Sequence, residues 1–279
     1  MILEKNEKTD YFRKLIRAGN VYYLYEYEEK VSRGFSSKRK GRANAPFTSA
    51  ETKLENQRKK AARARKTVQR AVNANPALNK FLTLTYAENV AELDRARQDF
   101  DKFVKRIKTR FSDFKYIVVI EFQKRGAIHF HLLCNLPYID VKRLAQIWGF
   151  GFIKINRIDN VDNVGAYITK YMTKDNIDPR LTGKKCYSMS RGLNLPEEIT
   201  EPEKIDEIIN ALRPVRAPYV VEFETEHYGF MRYTQYICAR PRLGSCSGSG
   251  DANFAVEHRS GKIGRNSSSS TAARFRLPM

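Results

Sequence analysis

The chain has 279 residues, of which 51 are Lys or Arg and 31 are Asp or Glu, giving a formal net charge of +20. That balance points to a polyanionic partner, nucleic acid before membrane, because no apolar run approaches the roughly 20 residues that span a bilayer and the opening MILEKNEKTD is charged instead of signal-like. Cys134, Cys186, Cys238 and Cys246 form no C-x-x-C pair, which argues against a zinc ribbon or a secreted disulfide framework, and no G-x-x-x-x-G-K-[ST] loop is present to cradle a nucleotide phosphate.

In chain order, Val21 to Val31 alternates Tyr23, Tyr25 and Tyr27 with Leu24 and Glu26, the period of a strand that could pair with a main sheet. Between Lys38 and Arg70, 12 Lys and Arg face only Glu51 and Glu55. Thr48 or Ser49 begins a helix expected over Ala50 to Val72, which lacks Gly and Pro. Its charge is one-sided instead of paired at i,i+4, the pattern of a basic arm that grips a phosphate backbone.

After a loop at Pro76, Phe81 to Tyr86 reads as a strand. Asn89 to Arg110 reads as an amphipathic helix with Leu93, Phe100, Phe103, Val104 and Ile107 inward. Lys115 to Gln123 and Ala127 to Leu136 read as strands joined by a tight turn at Lys124-Arg125-Gly126. A short helix from Asp140 to Trp148, a strand from Gly151 to Asn156 and a helix from Asn163 to Lys174 follow. The order β-α-β-β-α-β-α places the chain in the α+β class: an RRM-like or ferredoxin-like antiparallel sheet with helices on one face and the other face open. Strand character at Gly183 to Ser190 and Val220 to Cys238, with a short helix near Ile205 to Leu212, either enlarges that sheet or builds a small C-terminal lobe. From Gly244 onward Ser, Gly, Asn and Arg dominate, the composition of a disordered tail.

Two of the 4 histidines are His129 and His131. Residues two apart on a strand share a face, so both imidazoles can reach one ion, while Ile128, Phe130 and Leu132 point into the core. Cys134, an odd number of residues away, points into the core as well. Taken alone, H-F-H is as readily a strand with two solvent-facing histidines. Glu121, folded back beside the pair by the hairpin, adds a carboxylate. Two imidazoles and a carboxylate with open positions suit Mn²⁺ or Mg²⁺ engaged with phosphate, whereas a closed zinc site would want a fourth protein ligand.

The segment AYITKYMTKD contains Y-x-x-K twice, Tyr167 with Lys170 and Tyr171 with Lys174. At i and i+4 on a helix both phenols share a face, with Val164, Ile168 and Met172 as a separate apolar stripe. An isolated tyrosine pair at this spacing is more often a boundary residue set. Beside a metal site, the pair supplies the nucleophile that phosphodiester cleavage requires. A phenol is protonated at neutral pH, so the lysines can favour phenolate or neutralise charge on the phosphate.

These three segments, FLTLTY, then E-x7-H-F-H, then Y-x-x-K-Y-x-x-K, closely resemble in sequence and order the motifs of HUH endonucleases, specifically the rolling-circle replication initiators of single-stranded DNA phages and bacterial plasmids. The resemblance covers Phe81 to Lys174, with a weaker likeness over Lys184 to Pro196. It implies metal-dependent nicking of single-stranded DNA at a replication origin in the cytoplasm of a bacterial host. Tyr167 or Tyr171 would hold a 5′-phosphotyrosine, and a free 3′-hydroxyl would prime synthesis by a host helicase and DNA polymerase. The domains expected are an N-terminal strand and basic arm (1–74), the HUH endonuclease domain (75–200), a strand and helix extension (201–240) and the tail (241–279). The rivals are a mobilisation relaxase, against which the tyrosines following the histidines count, an HUH transposase, which is usually smaller and carries one tyrosine, and a non-enzymatic binder of single strands, against which Thr83, Thr85, Glu121 and two histidines on the open face count.

Overall fold

The computed structural model describes residues 10–32, 49–123, 125–158, 161–172, 179–181 and 184–240. Lys124, Lys174 and the expected disordered tail lie outside them.

The central layer is a five-stranded antiparallel sheet built from β3 (Lys80–Tyr86), β4 (Tyr116–Phe122), β5 (Ile128–Cys134), β6 (Gly151–Arg157) and β7 (Tyr187–Met189), in the order β6-β3-β5-β4-β7. Leaving β7 aside, the order is fourth, first, third, second. This is the ferredoxin-like arrangement that the β-α-β-β-α-β pattern leads one to expect. Of the two segments expected either to enlarge this sheet or to build a C-terminal lobe, the first supplies β7, which pairs with β4.

α2 (Leu93–Lys108) and α3 (Val141–Trp148) lie on one face, where Phe100, Phe103 and Ile107 meet Leu82, Leu84, Val118, Phe130 and Leu132. Burying each such ring or aliphatic chain contributes about 1.5–3 kcal/mol. Cys134 is buried in the same cluster, as its parity requires. α2 begins at Leu93 instead of Asn89, because the Glu92 carboxylate accepts from the Asp94 and Arg95 amides and fixes the first turn there.

The opposite face is only partly open. α1 (Ala50–Asn73), capped by Ser49, buries Val68, Ala71 and Val72 against it, and α4 (Val164–Ile168) lies beside α1. The basic helix is therefore an exposed arm over its first turns and a packed element over its last. Apolar residues at 68, 71 and 72 give that end a stripe that the charge run upstream conceals.

The tyrosine-rich N-terminal strand does not pair with this sheet. β1 (Asp10–Ala18) and β2 (Val21–Ser32) join β8 (Glu197–Ile199), β9 (Tyr219–Thr225) and β10 (Gly229–Ile237) in a second antiparallel sheet, order β8-β1-β2-β10-β9. α5 (Pro202–Ala211) covers one side of it through Ile205. The end of α1 meets the other side: Asn73 donates to the Tyr23 hydroxyl, and Arg70 donates to that of Tyr25. No helix among the described residues is long and apolar enough to cross a membrane.

Candidate metal and phosphodiester site

Register across the central sheet fixes which side chains meet. Thr85 pairs with His129 and with Phe152, and Glu121 pairs with His129. Directly opposed residues of an antiparallel sheet share a face. One row therefore runs Phe152, Thr85, His129, Glu121 across four strands, and the next runs Lys154, Thr83, His131, Val119.

The ligating atoms of Glu121, His129 and His131 all lie within 4.8 Å of one another, close enough to hold one metal ion. His131 Nε2 is 2.6 Å from Glu121 Oε2, and this hydrogen bond, ahead of the opposing effect of burial, holds the Glu121 carboxyl below its ordinary range. Burial, reinforced by the neighbouring His131, lowers the pKa of His129, which favours the neutral imidazole that a metal requires.

Both rings are anchored through their far nitrogens. The Thr83 hydroxyl lies 3.1 Å from His131 Nδ1, and the Gln123 amide nitrogen lies 3.2 Å from His129 Nδ1 while its oxygen accepts from Arg125 Nε. His129 Nε2 is buried and has no hydrogen-bond partner among the described residues. An orphaned imidazole nitrogen beside a second imidazole and a carboxylate fits a divalent cation, whose binding would satisfy it.

The tyrosines approach from α4. The helix is shorter than the Asn163 to Lys174 span expected: after Ile168 the chain tightens into a 3-10 turn (Thr169–Tyr171), and Met172 is already extended. The Thr169 hydroxyl bonds back to the carbonyls of Gly165 and Ala166, a local competition that bends helices. Arg65 of α1 then donates to the Met172 carbonyl. Val164, Ile168 and Met172 are buried against the sheet, as the stripe predicts.

Tyr171 lies stacked on His131 with ring centroids 3.9 Å apart, and Tyr167 meets Tyr171 edge-on at 6.2 Å. Phe81 packs against both phenol rings and against His131. Burial, then the hydrogen bond and charge of Tyr167, then the Glu121 carboxylate push the Tyr171 phenol up to about 12. Lys170 places its ammonium 5.5 Å from the Tyr167 ring centroid.

The position of α4 depends on Gly165. A Cβ there would lie 2.2 Å from the Gln69 carbonyl oxygen of α1, so only glycine allows the two helices to approach this closely. Asn73 Oδ1 accepts from the Gly165 amide, and Asn163 caps the helix from its other side. The histidines, expected on an uncovered surface, are 9% and 4% exposed, and Tyr171 of this turn lies over His131.

Sequence reasoning brought out Glu121, His129, His131, Tyr167, Tyr171 and Lys170, and the fold gathers these around one strand pair. It passed over Phe81, Gln123, Gly165 and the Phe152–Lys154 end of the rows. Register could have found Phe152, since it shares the parity of Lys154 and Asn156, opposite to the inward Ile153 and Ile155. No curated protein and no solved structure matches the chain. Residues 79–176, the stretch from β3 through the tyrosines, match the family described as replication-associated protein ORF2.

Proposed function

We propose that the protein initiates rolling-circle DNA replication: a metal-dependent endonuclease and strand transferase that nicks single-stranded DNA at an origin and retains the 5′ end on tyrosine. The observation that carries this reading is the stack of Tyr171 on His131, which sets a phenol beside a Glu-His-His cluster. Similarity of residues 79–176 to a replication-associated family supports it.

Glu121, His129 and His131 would hold the ion, Mn²⁺ or Mg²⁺, and the chemistry it supplies when bound is Lewis-acid polarisation of a non-bridging oxygen on the scissile phosphate. The remaining work belongs to the chain. The Tyr171 or Tyr167 oxygen attacks phosphorus, the bond from phosphorus to the 3′-oxygen breaks, and the phenolic proton is balanced by the one the 3′-oxygen takes up. No water is consumed, so the phosphotyrosine conserves the energy of the diester and can be resealed by a second strand end. Two phenols side by side allow one to hold the first end while the other attacks the next junction. Lys170, and Lys174 beyond the described residues, add positive charge next to the phosphate, while Arg125 and the exposed turns of α1 draw the strand in. The free 3′-hydroxyl would be extended by a host polymerase, with a host helicase opening the duplex.

The test is to incubate the protein and Mn²⁺ with labelled oligonucleotides tiled across the DNA that encodes it, and to look on denaturing gels for a protein-linked 5′ fragment. An adduct lost in His129→Ala and in chelator is the expected result. Cleavage that leaves no protein-linked product, or that persists in full in His129→Ala, would overturn the reading.

A further inference from the structure

Phe152 is 70% exposed, whereas Ile153 and Ile155, on the inner face of the same strand, pack against the core. It stands on the outer face of an edge strand, in one row with Thr85, His129 and Glu121. With strands about 4.8 Å apart, Phe152 lies about 10 Å from His129 along that row, one or two nucleotides of an extended strand away. Lys154, two residues on, presents an exposed ammonium on the same face, in the row of Thr83 and His131. α1 and α4 pack on the neighbouring part of this face around Phe81, Ile117 and Leu133, while Phe152 and Lys154 stay exposed.

An edge-strand aromatic left in solvent gains nothing from burial and offers a free π-face, and bases of any identity stack on such a face. We propose that Phe152 is a base-stacking subsite for the single-stranded DNA bound at the metal and tyrosine site, with Lys154 taking an adjoining phosphate; the assignment rests on the function proposed above. The strand would then cross the sheet perpendicular to its strands, from Phe152 over Thr85 to the cluster at His129 and Glu121. Stacking at Phe152 would hold the scissile phosphate in register without reading sequence, leaving origin choice to other contacts.

The experiment measures binding of fluorescein-labelled oligothymidylate by anisotropy in chelator, where no cleavage interferes, for the wild type, Phe152→Ala, Phe152→Leu and Phe152→Trp. A labelled abasic oligomer of the same length serves as the second probe. Loss of one stacked base should weaken oligothymidylate binding by about 5- to 150-fold in the Ala and Leu variants, with Trp restoring it. All four proteins should bind the abasic oligomer alike. Leu keeps apolar bulk at the edge strand, so a fold defect in Ala alone would be recognised. Equal oligothymidylate binding by all four proteins, no measurable binding by the wild type, or an equal loss on both probes would each overturn the subsite. Adduct formation by the wild type with Mn²⁺ is scored separately: base-dependent stacking without any adduct would sink the nicking function and leave the subsite standing.

Discussion

Tyr171 and His131 are 40 residues apart in the chain and lie ring on ring, 3.9 Å between centroids. This contact joins the phenol to the Glu-His-His cluster through a packed aromatic surface, with Phe81 against both rings. The same stack gives Tyr171 a packing role that does not need its hydroxyl, so removing the hydroxyl tests chemistry apart from structure.

Tyr167→Phe together with Tyr171→Phe is expected to abolish the protein–DNA adduct while changing DNA affinity less than about threefold and stability by less than about 1 kcal/mol, since both rings remain. Gel detection of the adduct, anisotropy and chemical denaturation check the three parts. Each single variant should retain one round of cleavage through the other phenol. A double variant that unfolds or loses DNA binding would mean that the pair is packing and not nucleophile.

Thr83→Val keeps the shape of the residue behind His131 and removes the hydroxyl that its Nδ1 contacts at 3.1 Å. Partners of this kind orient ligands, and their loss typically costs about 10- to 100-fold in metal affinity. Calorimetric titration with Mn²⁺ should show that drop, with Gln123→Leu behaving in the same way through His129. Unchanged affinity in both would mean that the imidazoles are held by packing alone.

Gly165→Val should separate the two halves of the site. Its side chain would meet the Gln69 carbonyl, displacing α4 and both tyrosines from the sheet at a stability cost of about 1–3 kcal/mol. The metal ligands sit on β4 and β5, so Mn²⁺ binding should persist while adduct formation falls at least tenfold. Parallel loss of both activities would show that α4 also holds the histidines in place.

Alkaline pH should destabilise the second sheet. Burial pushes the Tyr23 phenol up to about 12 and raises those of Tyr27 and Tyr233 further. The folded state thus keeps protons that the unfolded chain releases near pH 10, so stability is intact below that pH and falls as pH rises from about 10 towards the folded values. For Tyr23 alone the loss is about 2 kcal/mol at pH 12. Denaturant midpoints measured across this range should decline, and Tyr23→Phe should make the decline shallower. A flat profile would contradict the buried, protonated state of these phenols.

The main sheet and its inner helices were legible because their signals are local. Alternation in FLTLTY and AIHFHLLC and the 3.6-residue period of α2 each depend on residues within one element. The Glu-His-His cluster was legible for a related reason: His129 and His131 share a face by strand geometry, and the short hairpin with Gly126 at positive φ returns Glu121 beside them. The N-terminal strand was misplaced because an isolated alternating segment carries no record of its partner, and β10, with which β2 pairs through Met231 and Tyr27, lies far downstream.

By itself, then, the sequence determined a basic chain with an antiparallel α+β sheet, three side chains on one hairpin that could hold a metal and two phenols downstream of them. The tertiary structure decided that α1 and α4 close over part of the second face, that a 3-10 turn sets Tyr171 on His131, and that β1 and β2 share a sheet with β8, β9 and β10. These depend on contacts between residues distant in sequence, a carbonyl that tolerates only Gly165 and a carbonyl taken by Arg65, whose free energy appears only when the partners meet.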